Sequence, residues 1–97
     1  MKVVWSRQAL IRLGEIEDYI AAESPASAAR LMDRLIDRAE ALRRFPDAGR
    51  AVPELSQSNL RELIEGNYRI IYRAGRAAIE VVTVFEGHRR LPETDLE

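Results

Sequence analysis

The chain carries one histidine, His88, set in the run Gly87-His88-Arg89-Arg90. Histidine titrates near neutral pH, so a lone one beside two arginines invites a general acid–base reading. That chemistry needs a second placed proton donor or acceptor, and the run offers none, because arginine keeps its proton. The plainer reading is a surface residue at a strand end, solvated or hydrogen-bonded. Further arginines recur upstream at Arg61, Arg69 and Arg73. Arginine suits fixed, forked contacts better than lysine does. The bias is strong, with fourteen arginines against the single lysine Lys2, although a GC-rich genome accounts for it equally well.

Other chemistry finds little support. There is no cysteine, which excludes a disulfide framework, a thiolate metal site and a cysteine nucleophile. Histidines and carboxylates do not cluster at metal-ligand spacing, and the five glycines are scattered, so neither a metal site nor a phosphate-cradling loop is expected. No cofactor is expected. Ser6, Ser24, Ser27, Ser56 and Ser58 all have ordinary cap or loop roles. The net charge is -1, whereas a protein that grips nucleic acid by its phosphates usually has a basic balance. Any basic patch is therefore local, and direct sequence-specific nucleic-acid binding is not expected. No apolar run approaches the roughly 18 residues of a membrane span, and the N-terminus lacks a signal-peptide pattern. A cytoplasmic location is expected.

These side chains must be placed by a single domain, since the chain has 97 residues. Lys2–Trp5 reads as a short strand. Ser6 then offers a helix cap, and Leu10, Leu13, Ile16 and Ile20 recur at spacings of three and four, predicting a helix over about 7–22. Ser24-Pro25 restarts a second helix with an apolar stripe of Ala28, Leu31, Met32, Leu35, Ile36, Ala39 and Leu42. It ends before Pro46. Pro46-Asp47-Ala48-Gly49-Arg50 reads as a turn opening a loop to about Asn59. Three β segments follow, at Leu60–Ile64, Tyr68–Arg73 and Ala78–Phe85, joined by turns at Gly66-Asn67 and Ala74-Gly75-Arg76. The order is β-α-α-β-β-β, an α+β fold with a helical hairpin on one face of a small antiparallel sheet. Residues 86–97 form a polar tail, expected to be flexible.

Two-residue turns at Gly66-Asn67 and Gly75-Arg76 set the expected register. Ile64 then faces Arg69, Glu62 faces Ile71, Arg73 faces Ala78, Ile71 faces Glu80 and Arg69 faces Val82. Alternation puts Leu63, Tyr68, Ile70, Tyr72, Ile79, Val81 and Phe85 toward the helices. The opposite face carries Glu62, Arg69, Arg73, Glu80 and Glu86 with Ile64, Ile71, Val82 and Val84 among them. Two readings of that face stand side by side: a solvated arginine–glutamate ladder, or an arginine-bearing surface for a partner, favoured by its exposed aliphatics. Trp5 reads as a packing residue, with an interface anchor as the alternative.

The segment Gly66-Asn67-Tyr68-Arg69-Ile70-Ile71-Tyr72-Arg73, an apolar strand, and then Gly87-His88-Arg89-Arg90 resembles the ParE/RelE toxin superfamily. Pro46-Asp47-Ala48-Gly49-Arg50 and Pro25-Ala26-Ser27-Ala28-Ala29 share the resemblance, which covers residues 2 to about 92. It implies the toxin half of a type II toxin–antitoxin pair, forming a hetero-oligomer with a small cognate antitoxin. RelE-like members cleave mRNA on the ribosome, whereas ParE-like members poison DNA gyrase by binding. By motif, Arg69 and Arg89 match the arginines of the ribonucleases; some of those members use a C-terminal histidine, for which His88 could be mistaken. The ribonuclease lysines are absent, with Leu60 and Glu62 in their place, and the C-terminal tyrosine has no counterpart.

The expectation is therefore a ParE-like gyrase inhibitor, not an enzyme in its own right, neutralised by a ParD-like antitoxin. Its target-binding surface is expected at Arg61, Arg69, Arg73, His88, Arg89 and Arg90. The antitoxin is expected against the outer side of the helical hairpin and the nearby sheet edge, with Leu13, Ile16, Ile20, Leu31, Leu35 and Leu42 shared between core and groove. The alternatives are a ribosome-dependent mRNA endonuclease using Arg69, His88 and Arg89, and a toxin fold that only binds its antitoxin.

Overall fold

Each helix starts where a serine satisfies the free amides of a first turn. In the computed structural model, which describes residues 1–96, Ser6 Oγ accepts from the Ala9 amide at 3.0 Å and donates to the Val82 carbonyl at 2.9 Å. The Ser6 amide also reaches the Val81 carbonyl at 2.9 Å, so the cap pins the helix start onto a strand far along the chain. The elements are β1 (Lys2–Trp5), α1 (Arg7–Ala21), α2 (Pro25–Glu40), β2 (Arg50–Ala51), β3 (Leu60–Glu65), β4 (Tyr68–Ala74) and β5 (Ala78–Glu86). Short 3-10 turns occupy Ala41–Arg43, Pro53–Leu55 and Glu93–Leu96. Ser24 caps α2 and Pro25 fills its first turn, as expected.

The five strands form one mixed sheet in the order β1-β5-β4-β3-β2. The α+β fold class stands, with two additions. First, β1 joins the edge of β5 in parallel, pairing Val3 with Ile79. Second, the loop after α2 contributes β2, which pairs Arg50 with Glu62.

The first hairpin has the expected register, with Ile64 opposite Arg69 and Glu62 opposite Ile71. The second differs. The Gly75 amide closes onto the Ala78 carbonyl at 2.9 Å, placing Arg76 and Ala77 at the tip, so Arg73 faces Glu80 rather than Ala78. A bulge between Ile71 and Tyr72 then sets Ile71 opposite Thr83 and Arg69 opposite Phe85. The extra residue on β5 breaks the alternation of faces. Val84 therefore packs under the helices and Phe85 on the opposite face, the reverse of the expected assignment.

The main core lies between the helical hairpin and the sheet, with Leu31, Leu35, Leu42, Leu63, Ile70, Tyr72, Ile79, Val81 and Val84 buried in it. The opposite face is not open. Val52, Leu60, Ile71, Val82, Phe85 and Leu91 form a second buried cluster, joined by Leu55 and Leu96. The chain covers this face itself, with the 52–60 loop and residues 91–96. Of the four aliphatics expected on a partner surface, only Ile64 is exposed. The partner reading of Ile71, Val82 and Val84 is thereby corrected. The segment expected as a flexible tail packs here through Leu91 and Asp95; its last residue, Glu97, lies outside the described residues.

Candidate target-binding surface

The six basic side chains expected to form one surface fall into three settings. Arg61 and Arg73 lie toward the end of the sheet where β3 begins and β4 ends. Arg61 donates to the Gly49 carbonyl at 2.8 Å, and Arg73 pairs with Glu80 at 3.1 Å. His88, Arg89 and Arg90 lie at the other end, beside Tyr68. Five residues of strand separate Tyr68 from Arg73, roughly 16 Å at the usual rise. The two groups therefore stand at opposite ends of the strands and do not form one cluster of touching side chains.

Arg69 stands at the His88 end, where the two residues share a cleft, but its side chain is only 10% exposed. Its Nε donates to Glu62 at 2.7 Å, and its two terminal nitrogens fork onto Glu54 at 2.8 Å each. Its guanidinium also lies over the Phe85 ring, 5.0 Å from the centroid. The Glu62 side chain is fully buried and accepts a second bond from Arg50 at 2.7 Å. The arrangement is an alternating Arg50–Glu62–Arg69–Glu54 chain. Glu54 first, and then Glu62, holds the Arg69 pKa above its ordinary range, and the Arg69 hydrogen bonds draw Glu54 down from 4.5 to about 2. The expectation of a displayed Arg69 is therefore corrected: it is buried and paired on both sides. Burying a guanidinium requires paired acceptors, and a strand alternation read from sequence does not reveal that a loop glutamate supplies them.

The basic run after β5 is a displayed turn. The Gly87 amide bonds the Asn67 carbonyl at 2.6 Å, and the Arg89 amide bonds the Glu86 carbonyl at 3.0 Å. Between these anchors and buried Leu91, the side chains of His88 and Arg89 are 71% and 69% exposed. Both lean on Glu86, at 3.6 Å from His88 Nδ1 and 3.3 Å from Arg89 Nε. Arg90 is exposed as well.

This turn forms one wall of a cleft of about 440 Å³. The opposite wall is α1, which contributes Arg12, Glu15, Ile16 and Tyr19, and the floor includes Tyr68 and Val84. Tyr19 is highly exposed. Burial, then the neighbouring Glu86, pushes the Tyr68 phenol up, so it stays protonated as a hydrogen-bond donor. Neither tyrosine was expected in a binding role, Tyr68 being assigned only to the helix-facing side of the sheet. The signal was present, since Arg12, Glu15, Ile16 and Tyr19 follow the i, i+3, i+4, i+7 spacing of one helical face. Among the described residues no group of histidines and carboxylates is placed to hold a metal ion.

The hairpin residues expected to meet an antitoxin also divide. Leu31, Leu35 and Leu42 point into the main core and are at most 5% exposed, so no groove reaches them. That expectation is corrected: a wide apolar stripe on a helix marks the side that packs on the sheet. Leu13, Ile16 and Ile20 are half-buried at the margin of the core. The apolar side chains that the hairpin does expose are Leu10, Ile11, Tyr19 and Ile36.

The fold is thus a two-helix hairpin on a five-stranded mixed sheet with a displayed basic turn, and comparison with known proteins gives its family. Residues 3–91 match the family described as ParE toxin of type II toxin–antitoxin system, parDE, and the chain belongs to that family. A protein of Sinorhizobium fredii named Y4kP, described as a candidate toxin, is 36% identical over 94 residues, covering 95% of this chain and 94% of that one. Toxin RelE2 of Caulobacter vibrioides is 36% identical over 84 residues, 86% of this chain and 91% of that one. A solved structure of the chromosomal ParDE system from P. aeruginosa superposes with a TM-score of 0.73 at 22% identity, over 89% of this chain and 95% of that one. The protein is a type II toxin by family. No helix among the described residues is long and apolar enough to cross a membrane.

Proposed function

We propose that this toxin inhibits DNA gyrase by binding it, and that a ParD-like antitoxin neutralises it. The observation that carries this reading is the state of Arg69. A ribonuclease mechanism by the superfamily resemblance would use Arg69, His88 and Arg89 on the scissile phosphate. Here Arg69 is held by two carboxylates on the covered face of the sheet. In the cleft that Arg69 shares with His88, a phosphate would have to compete with both carboxylates for the guanidinium. His88 and Arg89 share the single carboxylate of Glu86, without a second placed proton carrier. What remains is a surface suited to binding: the exposed His88, Arg89 and Arg90 beside the cleft lined by Tyr19 and Tyr68. Exposed arginine and tyrosine are the residue types that dominate binding energy at interfaces. The exposed apolar residues of the hairpin, Leu10, Ile11 and Ile36, with half-buried Leu13 and Ile20, offer the antitoxin a separate surface.

The test is a gyrase supercoiling and DNA-cleavage assay with purified toxin, run beside ribosome-programmed mRNA cleavage. Blocked supercoiling with intact mRNA is the expected result. Cut mRNA with normal supercoiling would replace it with the ribonuclease reading, for which the likeness to the protein named RelE2 speaks. Activity in neither assay would mean that the toxin fold serves antitoxin binding alone or meets another target.

A further inference from the structure

The basic turn is tied down at both ends, and its far anchor is a long-range ion pair. Asp95 lies in the last 3-10 turn, with its side chain 3% exposed. Its carboxylate accepts from Arg12 Nε at 2.7 Å, from Arg12 Nη2 at 3.1 Å and from Thr83 Oγ1 at 2.9 Å. Burial pushes the Asp95 carboxyl up, but the bonds from Arg12 and Thr83 outweigh it and hold it below its ordinary value. Arg12 stands on α1 and lines the cleft, and a third contact, from Nη1 to Glu15 at 3.1 Å, sets its plane. Arg89, Arg90 and Pro92 line the facing wall of the same cleft. Between Asp95 and that wall, Leu91 is buried against the sheet.

From this geometry we infer that the Arg12–Asp95 pair is a clasp that positions the basic turn. It fastens the segment after β5 to α1, closes one end of the cleft and presents Arg89 and Arg90 at a fixed distance from Tyr19. Asp95 and Thr83 are positioning residues, since Asp95 is nearly inaccessible and neither lines the cleft. The forked geometry suits this role. Two parallel bonds to a planar guanidinium fix orientation, which a point charge does not. The chain ordered by the clasp is short, so the entropy of holding the turn is met once, on folding, and not again when the target binds.

The role of the clasp in toxicity rests on the binding reading of His88, Arg89 and Arg90 given above, but the test separates the two. The probe is the full-length toxin carrying Asp95→Asn, which keeps the size of the side chain and removes its charge. Amide hydrogen exchange is measured at residues 87–91, and potency is measured as growth arrest on titrated expression, which presupposes no particular target. Exchange at 87–91 is expected to rise about tenfold, as for loss of one charge-assisted bond, while β4 amides and antitoxin affinity hold. Potency is expected to fall at least about tenfold. Arg12→Lys, which keeps the charge but loses the fork, is expected to give the same pattern more weakly and serves if Asp95→Asn does not fold. Unchanged exchange at 87–91 would overturn the clasp. Loosened exchange with undiminished arrest would overturn its role in toxicity. Wild-type toxin that arrests growth without touching supercoiling would remove gyrase as target and leave the clasp to stand or fall on exchange and arrest.

Discussion

Replacing Arg69 with alanine tests the assignment of this residue to the fold. Arg69→Ala removes three hydrogen bonds and leaves the fully buried Glu62 carboxylate with Arg50 alone. Breaking a buried pair from one side costs about 3–5 kcal/mol. The lower end applies, because the Arg50 side chain is 64% exposed and keeps a 2.7 Å contact with Glu62, and Glu54 can turn to water. Loss of the stacking on Phe85 adds about 0.5–1 kcal/mol. The expected total is about 3.5–4 kcal/mol, a large share of the roughly 5–15 kcal/mol of a typical domain. At about 4–8 °C per kcal/mol for a domain of this size, the Tm falls by about 14–32 °C. Urea unfolding followed by circular dichroism measures the loss. The paired change Glu62→Leu with Arg69→Met, which removes both buried ions, is expected to recover most of it. Arg89→Ala is the surface control and should stay within about 0.5 kcal/mol of wild type. If Arg69→Ala costs under about 1 kcal/mol and yet abolishes toxicity, Arg69 is a contact residue and the burial argument is wrong.

Three further outcomes follow from the same geometry. The Glu54 carboxyl is drawn down from 4.5 to about 2, first by the Arg69 hydrogen bonds. Its folded pKa lies below its unfolded one, so the stabilisation it brings is complete above the unfolded value and fades as pH falls from 4.5 toward 2. Unfolding measured across that window should show the loss in wild type and a flatter profile in Glu54→Gln. Tyr72 is wholly buried, and its hydroxyl donates to the Pro46 carbonyl at 2.7 Å while accepting from the Gly49 amide at 2.9 Å. Tyr72→Phe leaves both backbone groups without that partner and should cost about 1–3 kcal/mol in denaturant titration. At Gly49 an added Cβ would lie 2.6 Å from the Glu62 carbonyl oxygen and 2.6 Å from Tyr72 Cε1. Backbone and a packed ring cannot yield cheaply, so Gly49→Ala should destabilise by about 1–3 kcal/mol.

The amino-acid sequence by itself determined most of the elements, β2 excepted. Serine caps, the Pro25 restart and the three-and-four spacing of leucines mark both helix starts and the end of α1 to within about a residue, because these signals act between neighbours within one turn, whereas α2 stops at Glu40, short of the limit set by Pro46. Glycine and asparagine set the β3–β4 register for the same local reason. Arginine-rich Gly87-His88-Arg89-Arg90 was legible as exposed, since nothing nearby demanded its burial, but it read as part of a flexible tail and not as an anchored turn. Tertiary structure alone decided the rest. The bulge on β5 exchanged Val84 and Phe85 between faces, and one inserted residue does that without altering composition. The fate of Arg69 hung on Glu54, a loop residue with no periodic signal, and that of the C-terminal segment on an Arg12–Asp95 contact spanning 83 residues. A charged side chain reads as exposed until its partner is known, because burial is unfavourable for one ion and tolerable only for the pair.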